Sequence, residues 1–213
     1  MSVSLDAAGL PSVAIAAVPA AVSAWLGPVP LTLALLLLPA GVALFFRDPD
    51  RASPSARHLV LAPADGKVMY AGPGRAAEAP PGAWLQVTVF LSPLDVHINR
   101  TPVAGRVTRV EYQPGTFLPA YRRESFQNER TEIWVDNDGT PVVFRQVVGM
   151  LARRVVCRIR VGDVLEPGAR IGLMKFGSRM DVFLPETAAI ETKAGDVVRS
   201  GVTVIGTLAR VMA

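Results

Sequence analysis

A serine directly after a glycine is the first feature of this sequence that could do chemistry. Gly177 and Ser178 lie in the segment GlyLeuMetLysPheGlySerArgMetAspValPheLeuPro, residues 172–185, between two apolar runs that are predicted strands. A small, flexible dipeptide is unexpected there unless the backbone is strained or attacked. The serine hydroxyl could attack the preceding carbonyl in an N-to-O acyl shift. The pair therefore predicts either a cleavable Gly–Ser bond or a nucleophilic serine.

The second candidate segment, residues 90–105, runs from an apolar strand into a loop with several polar side chains. It contains His97, and acidic, amide and basic side chains lie close to it in the sequence. A lone histidine is more often structural than catalytic. The only other histidine is His58, however, so His97 is the better candidate for a general base that takes the serine proton.

The third candidate segment is LeuAlaProAlaAspGlyLysVal, residues 61–68, which also ends an apolar run with polar residues. It contains Asp65 next to Gly66. On its own, this dipeptide is an ordinary turn signal.

The first part of the chain is apolar and uncharged. No charged residue occurs in 7–46, and a Gly-Pro-Val-Pro segment interrupts it at 27–30. Because one bilayer span takes about 20 apolar residues, we predict two short helices, 12–26 and 31–46, that form a membrane-anchoring hairpin within 1–46. A single tilted span and a signal peptide are the alternatives. The arginines that follow predict a domain on the cytoplasmic side of the cell membrane.

Residues 47–213 carry almost all of the charge. They contain all 22 Lys and Arg residues and 17 of the 18 Asp and Glu residues, a net charge of +5. A positive domain next to an apolar anchor suits an anionic membrane surface, and no aromatic-basic motif indicates a nucleic-acid partner. The single Cys157 excludes an internal disulfide and Cys-based metal clusters. We expect no metal, and a packing role for Cys157.

Short runs rich in β-branched residues recur through 47–213, with Gly, Pro, Asp and Asn between them. Such a pattern, with no long helical period, predicts a mainly β domain, a sandwich or barrel. Two Gly-Asp turns, at 162–163 and 195–196, are typical of biotinyl- and lipoyl-carrier domains and predict a similar design. The predicted strands are 59–61, 85–91, 106–112, 132–135, 140–148, 153–161, 181–184 and 202–208.

The longest irregular segment runs from 113 to 130 and mixes aromatic residues with arginines. Loops of this length in compact domains are usually functional or disordered. We expect this loop to cover the site and to touch lipid, with Arg122, Arg123 and Arg130 meeting phosphate or carboxylate groups of a substrate.

Together the three segments resemble the phosphatidylserine decarboxylase family in its short, archaeal-type form. The resemblance extends over nearly all of residues 45–185, and its pieces stand in the family's order and spacing. The additional matching pieces are PhePheArgAspProAspArg at 45–51, TyrGlnProGlyThrPhe at 112–117, AsnGluArg at 128–130 and AlaArgArgValValCys at 152–157.

The resemblance implies a pyruvoyl-dependent enzyme that converts phosphatidylserine to phosphatidylethanolamine and CO₂. The chain would cleave itself between Gly177 and Ser178, and Ser178 would become a covalent pyruvoyl (pyruvate) cofactor that forms a Schiff base with the substrate amine. His97 would be the base and Asp65 the residue that orients it. The two products, 1–177 and 178–213, would stay together as a heterodimer.

One position departs from the family pattern. Long-form members carry a second histidine three residues after the first, and this sequence has Arg100 there. Either His97 serves both self-cleavage and decarboxylation, or another residue supplies the second function.

Two other functions stay open. A Ser-His-Asp hydrolase would use Asp65, His97 and Ser178 in an uncut chain, although its usual Gly-x-Ser-x-Gly elbow is missing. A membrane-tethered carrier domain would be modified at Lys175, although only one methionine flanks that lysine. The sequence also leaves open ester- or ether-linked lipid, the oligomeric state, and whether the anchor spans the bilayer or only dips into it.

Overall fold

The computed structural model describes residues 3–150, 155–175 and 177–209. The chain divides into two compact units, Met1–Asp50 and Arg51–Ala213. The sequence analysis placed the end of the membrane-anchoring segment at residue 46.

The first unit consists of apolar helices and one strand pair. Strand β1 is Val3–Leu5, a 3₁₀ turn is Ala7–Gly9, the helices are α1 Leu10–Leu26, α2 Val29–Leu35 and α3 Leu37–Phe45, and strand β2 is Arg47–Pro49, antiparallel to β1. The predicted break after Leu26 is present, but the second predicted helix is broken again at Leu36. Pro39 explains this break, because proline lacks an N–H and its ring opposes the carbonyl four residues earlier, that of Leu35.

Most apolar side chains of this unit are exposed, Trp25 among them at 85%. Among the described residues, one helical segment, Ala7–Leu26, is long and apolar enough to cross a bilayer, with a mean hydropathy of 1.7 over 20 residues. The adjoining apolar segment Val29–Phe45 is shorter.

The second unit is built from strands, which confirms the predicted mainly β class with N-terminal helices. Its strands are β3 Leu59–Leu61, β4 Gly66–Pro73, β5 Trp84–Leu91, β6 Ile98–Arg100, β7 Gly105–Gln113, β8 Arg130–Asn137, β9 Thr140–Val147, β10 Val155–Cys157, β11 Val164–Leu165, β12 Arg170–Met174, β13 Ser178–Pro185, β14 Ala189–Ile190, β15 Val197–Val198 and β16 Val204–Thr207. In the described part of the chain the main sheet has the order β11-β7-β8-β9-β13-β5-β4-β15, and two smaller sheets have the orders β10-β12-β6 and β14-β16-β3. Neighbouring strands are antiparallel in all three sheets.

Several strands differ from the prediction: β8 and β13 are longer than predicted, and the strands that were not predicted are β4, β6, β11, β12, β14 and β15. Strand β4 was missed, because Gly66, Gly72 and Pro73 near its ends give it the composition of a turn. The predicted strand 153–161 corresponds to β10, which is shorter. Residues 153 and 154 of the predicted range lie outside the described part of the chain.

Strand β13 lies at the centre of the domain and is covered on both faces. All of its residues from Ser178 to Leu184 are buried. Met180, Val182 and Leu184 pack into the apolar core between the sheets. The alternate positions place Arg179 and Asp181 on the opposite face, where they are also buried. Because a buried charge is unfavourable unless it is paired, this second face must supply partners.

Candidate active site

The main sheet brings the three candidate segments to one edge. Ser178, the first residue of β13, pairs with Leu91 at the end of β5, and Phe90 pairs with Lys67 at the start of β4. On the other side of β13, Arg179 pairs with Val147, where β9 ends. The segments that carry Asp65, His97 and Ser178 therefore all leave or enter the sheet at this edge.

The Gly177–Ser178 pair has two unusual features. Gly177 has a φ of +63°, a region that other residues rarely adopt. Ser178 is wholly buried, and its Oγ has no hydrogen-bond partner among the described residues. A buried polar atom without a partner costs about 1–3 kcal/mol, and in a native structure it often marks a functional position. Both features favour a reactive peptide bond at this place.

A second glycine, Gly149, lies against the carbonyl of Gly177. A Cβ added at Gly149 would be 1.6 Å from Gly177 O and 3.3 Å from the Ala120 side chain. The Gly149 backbone is therefore in direct contact with the carbonyl that Ser178 would attack. Sequence reasoning missed this residue, because a glycine two positions after a strand looks like an ordinary turn residue.

His97 is buried, with 1% of its surface exposed. Its Nδ1 lies 2.9 Å from the carbonyl oxygen of Asp95. Since a carbonyl only accepts hydrogen bonds, Nδ1 carries the proton, and in the neutral ring Nε2 carries the lone pair. This is the form that can act as a base.

Backbone contacts hold the His97 segment beside the Ser178 segment. Met174 N donates to His97 O at 3.3 Å, and Ser178 pairs with Leu91. Leu91 and His97, the residues on either side of the 92–96 loop, are thus tied to Ser178 and Met174.

The carboxylate of Asp65 binds partners that the sequence analysis did not anticipate. Arg51 donates to both of its oxygens, at 2.5 and 2.7 Å, and Ser200 N donates to Oδ1 at 2.8 Å. The Asp65 carboxylate is thus bonded to Arg51 and Ser200, and the His97 ring is bonded to the carbonyl of Asp95. The structure brings the Asp65 backbone to the site edge, and its carboxylate stabilises the Arg51–Ser200 contact.

The loop from 113 to 130 forms one wall of a cavity at Gly177. Asn128 organises the loop, since its amide bonds the backbone N–H and C=O of Leu118 at 2.8 and 2.7 Å and also donates to Val148 O at 2.8 Å. The cavity has a volume of about 170 Å³. It is lined by Phe90, Pro93, Pro119, Ala120, Tyr121, Met150 and Gly177. The space next to the Gly–Ser bond is therefore apolar.

The three candidate substrate-binding arginines differ in their surroundings. Arg122 and Arg123 are exposed, and Arg123 Nε is 3.9 Å from Glu78 Oε1. Arg130 is half-buried and donates to Phe126 O at 2.8 Å. Burial, followed by the positive charge of Arg145, lowers the pKa of the Arg130 guanidinium. A bound anion near Arg130 would stabilise the charged guanidinium and so offset both of these effects on its pKa.

Cys157 has the surroundings of a packing residue, and Lys175 lies in a connection between two strands. Cys157 is half-buried against the core, and burial raises the pKa of its thiol. Lys175 lies between β12 and β13, which belong to different sheets. Lys175 is thus not at the tip of a hairpin, the position that a modified carrier lysine requires.

Comparison with known proteins finds one family that matches most of the chain. The family model for phosphatidylserine decarboxylase matches residues 38–206. Relatives named "phosphatidylserine decarboxylase proenzyme" include one from Pelodictyon phaeoclathratiforme, 42% identical over 179 residues (84% of this chain, 83% of the relative). Another, from Chlorobium chlorochromatii, is 45% identical over 163 residues (76% of each). A third, from Geotalea uraniireducens, is 39% identical over 206 residues (96% of each).

The chain therefore belongs to the phosphatidylserine decarboxylase family. The family and the enzyme class predicted from the sequence are both confirmed. The match reaches further in both directions than the 45–185 range on which the resemblance was first based.

Proposed function

We propose that this protein decarboxylates phosphatidylserine to phosphatidylethanolamine, with a pyruvoyl group that it makes from Ser178 by cleaving the Gly177–Ser178 bond. The observation that carries the proposal is the buried Ser178 hydroxyl, without a described partner, directly after a glycine with positive φ. The relatives named as proenzymes support a processed chain.

The cleavage begins as an acyl shift. Ser178 Oγ attacks the Gly177 carbonyl carbon, its proton passes to a base, and the peptide C–N bond breaks to leave an ester and a free amine on residue 178. Removal of the Ser178 Cα proton then expels the Gly177 carboxylate. The resulting dehydroalanine takes up water and releases ammonia, which leaves a keto group at the start of the second chain. No oxidant is required, and water is the single reagent that is added.

His97 is the proposed base for this sequence of steps. Its Nδ1 proton is held by the Asp95 carbonyl, so Nε2 is the nitrogen that accepts a proton from the serine. With Arg100 at the position of the long-form second histidine, we propose that His97 also returns a proton to the product of decarboxylation. The pyruvoyl group supplies an electrophilic carbonyl that takes up the substrate amine and the electrons left behind by CO₂.

The cavity beside Gly177 suits the lipid side of the substrate. Its lining side chains are Pro, Phe, Tyr, Met and Ala, which favour apolar contact over polar contact. The serine head group would then face residue 178, and the glycerol and acyl region would face the loop.

Intact mass and CO₂ release together test the proposed function. The wild-type protein should give two chains, the smaller comprising the 36 residues 178–213. Its mass should be about 17 Da below that of the same peptide with an N-terminal serine, because ammonia is lost when the keto group forms. An uncut chain that releases CO₂ from phosphatidylserine would overturn the proposal. An uncut chain that hydrolyses esters would favour the hydrolase, and an added biotinyl or lipoyl mass would favour the carrier.

Asp65 matches the family position that orients the base, but the Asp95 carbonyl already holds the Nδ1 proton of His97. We therefore propose that Asp65 supports His97 through its negative charge, and the Arg51 contact gives a way to test this. If the carboxylate acts on His97, Asp65→Asn should slow self-cleavage by about 10²-fold or more, and Arg51→Met should slow it much less. If Asp65 acts only through its ion pair, the two variants should slow cleavage equally. Cleavage rates from time-resolved gels of freshly synthesised protein, with melting temperatures alongside, distinguish these outcomes.

The loop arginines are proposed to bind the acidic groups of the lipid. For Arg122→Ala plus Arg123→Ala we expect a several-fold higher KM on phosphatidylserine vesicles with unchanged self-cleavage, since both side chains are exposed. Arg130→Gln should have the larger effect on KM, because a half-buried guanidinium binds an anion more strongly than an exposed one. Unchanged KM values in both variants would remove the arginines from the proposed site.

The helices of residues 7–46 are proposed to hold the protein in the membrane, with the catalytic domain on the cytoplasmic side. Deleting residues 1–46 should move the protein to the soluble fraction and leave self-cleavage intact. Fractionation before and after a high-salt wash measures the first result, and intact mass measures the second. A truncated protein that still sediments with membranes after the wash would assign the anchor to another region.

A further inference from the structure

A cluster of buried charged side chains lies on the second face of the main sheet, directly after Ser178. The guanidinium of Arg179 contacts Asp181 Oδ2 at 2.9 Å and Glu78 Oε2 at 3.2 Å, and each of the three side chains is at most 2% exposed. Arg179 also donates to Ser125 Oγ at 3.0 Å. We call Arg179 and these three partners the Arg179 clamp.

The clamp connects three parts of the chain that are distant in sequence. Glu78 lies between β4 and β5, Asp181 lies within β13, and Ser125 lies in the loop that lines the cavity at Gly177. Ser125 is itself held by the loop, since its Oγ donates to Arg122 O at 2.6 Å. The residue that follows Ser178 is thus joined to the wall of the site.

The neighbouring Arg145 belongs to the same cluster but holds no residue next to Ser178. It pairs with Glu132 at 2.5 Å, with the two side chains 8% and 5% exposed, and it donates to the carbonyl of Glu78. Burial lowers the pKa of the Arg179 guanidinium, but the carboxylates of Asp181 and Glu78 outweigh burial and raise it overall. Arg179 is therefore charged, and both arginines are buried and paired.

We propose that the Arg179 clamp holds the start of β13 in place after the chain has been cut ahead of Ser178, so that the reactive group at position 178 stays in the site. This inference rests on the proposed self-cleavage. Arg179 is a positioning residue here, since it acts through the backbone of Ser178 and does not contact the reacting atoms.

The physical reason for a clamp is that a new chain end tends to fray. Ends without a tertiary contact open easily, and cleavage turns the middle of the chain into such an end. Withdrawing Arg179 would leave the buried Asp181 carboxylate without its ion-pair partner and would leave Glu78 paired with arginines at Oε1 alone, which is strongly unfavourable. The first residues of β13 therefore stay paired with β5 and β9 although the covalent connection to Gly177 is gone.

Amide hydrogen exchange on the full-length protein tests the clamp in cut and uncut chains. The samples are the processed wild type, the uncut Ser178→Ala protein, and Arg179→Lys in both backgrounds. Residues 179–183 should exchange equally slowly in the cut and uncut wild-type backgrounds. In Arg179→Lys they should exchange at least tenfold faster only after cleavage. The processed Arg179→Lys enzyme should also lose roughly tenfold to a hundredfold in kcat, with a small change in KM.

Arg145→Lys is the matched control, because it alters an equally buried and paired arginine in the same cluster. It should leave the exchange of 179–183 and kcat near wild type. Equal loss of protection in cut and uncut Arg179→Lys, or equal effects of Arg145→Lys, would show general stabilisation and overturn the clamp. Fast exchange of 179–183 in the processed wild type would overturn it even if Arg179→Lys does not fold. A wild-type chain that is never cut refutes the proposed function instead, and its mass shows this before any exchange is measured.

Discussion

Replacing Ser178 by alanine is expected to leave the chain in one piece and without decarboxylase activity. Alanine has no nucleophile for the acyl shift and cannot become a keto group by elimination. The substitution should leave the rest of the site unaltered, because Ser178 Oγ makes no hydrogen bond to the described residues and its removal breaks none. Removing an unpartnered buried hydroxyl should leave the stability unchanged or slightly higher. Intact mass, a CO₂ assay and thermal unfolding of the uncut protein measure the three results.

Ser178→Cys is the matched control for the nucleophile. A thiol fits the same buried position and can form a thioester with Gly177, so slow cleavage should remain, and hydroxylamine should speed it by attacking the thioester. Ser178→Ala should not respond to hydroxylamine. A Ser178→Ala protein that is cut, or that keeps more than about a hundredth of the wild-type activity, would contradict the assignment of Ser178 as the nucleophile.

The sequence singled out the three segments that the structure brings together because each of them contains its own signal. Gly177 and Ser178 interrupt an apolar pattern, and His97 follows a strand among polar residues. Antiparallel pairing then brings the segments together, since Ser178 lies opposite Leu91 and Phe90 lies opposite Lys67. Strand composition and turn residues were sufficient for the mainly β class.

What the sequence did not predict depends on contacts between distant residues. The Arg179 clamp joins Glu78 to a residue 101 positions later, and neither residue has a local pattern that indicates the other. Asp65 matched a family position, but its bidentate contact with Arg51 comes from the packing of a segment 14 residues earlier. Strand β4 was missed because glycine and proline at its ends hide its strand character. In each case the missing information was a tertiary partner.

A side chain at Gly149 is expected to block self-cleavage without unfolding the protein. A Cβ there would be 1.6 Å from the carbonyl oxygen of Gly177, so this carbonyl or the Gly149 backbone must move by more than about 1 Å to reach ordinary contact. A misplacement of about 1 Å can slow a positioned reaction by about 10²-fold. Overpacking itself costs about 1–3 kcal/mol of stability. We therefore expect Gly149→Ala to fold and to be cut at least roughly a hundredfold more slowly.

Gly206→Ala separates this effect from the general cost of crowding a backbone. A Cβ at Gly206 would be 2.6 Å from Ala189 O, another carbonyl in close contact, in the small sheet of β14, β16 and β3. It should lower the melting temperature of the protein and leave the cleavage rate near wild type.

Hydroxylamine adds a second readout for Gly149→Ala, because it cuts an ester but not a peptide bond. If Gly149 positions the carbonyl for attack, the uncut Gly149→Ala chain contains no ester and hydroxylamine releases nothing. Rapid release would mean that the acyl shift had occurred and that Gly149 acts only in the later elimination, whereas a wild-type cleavage rate would remove Gly149 from the site.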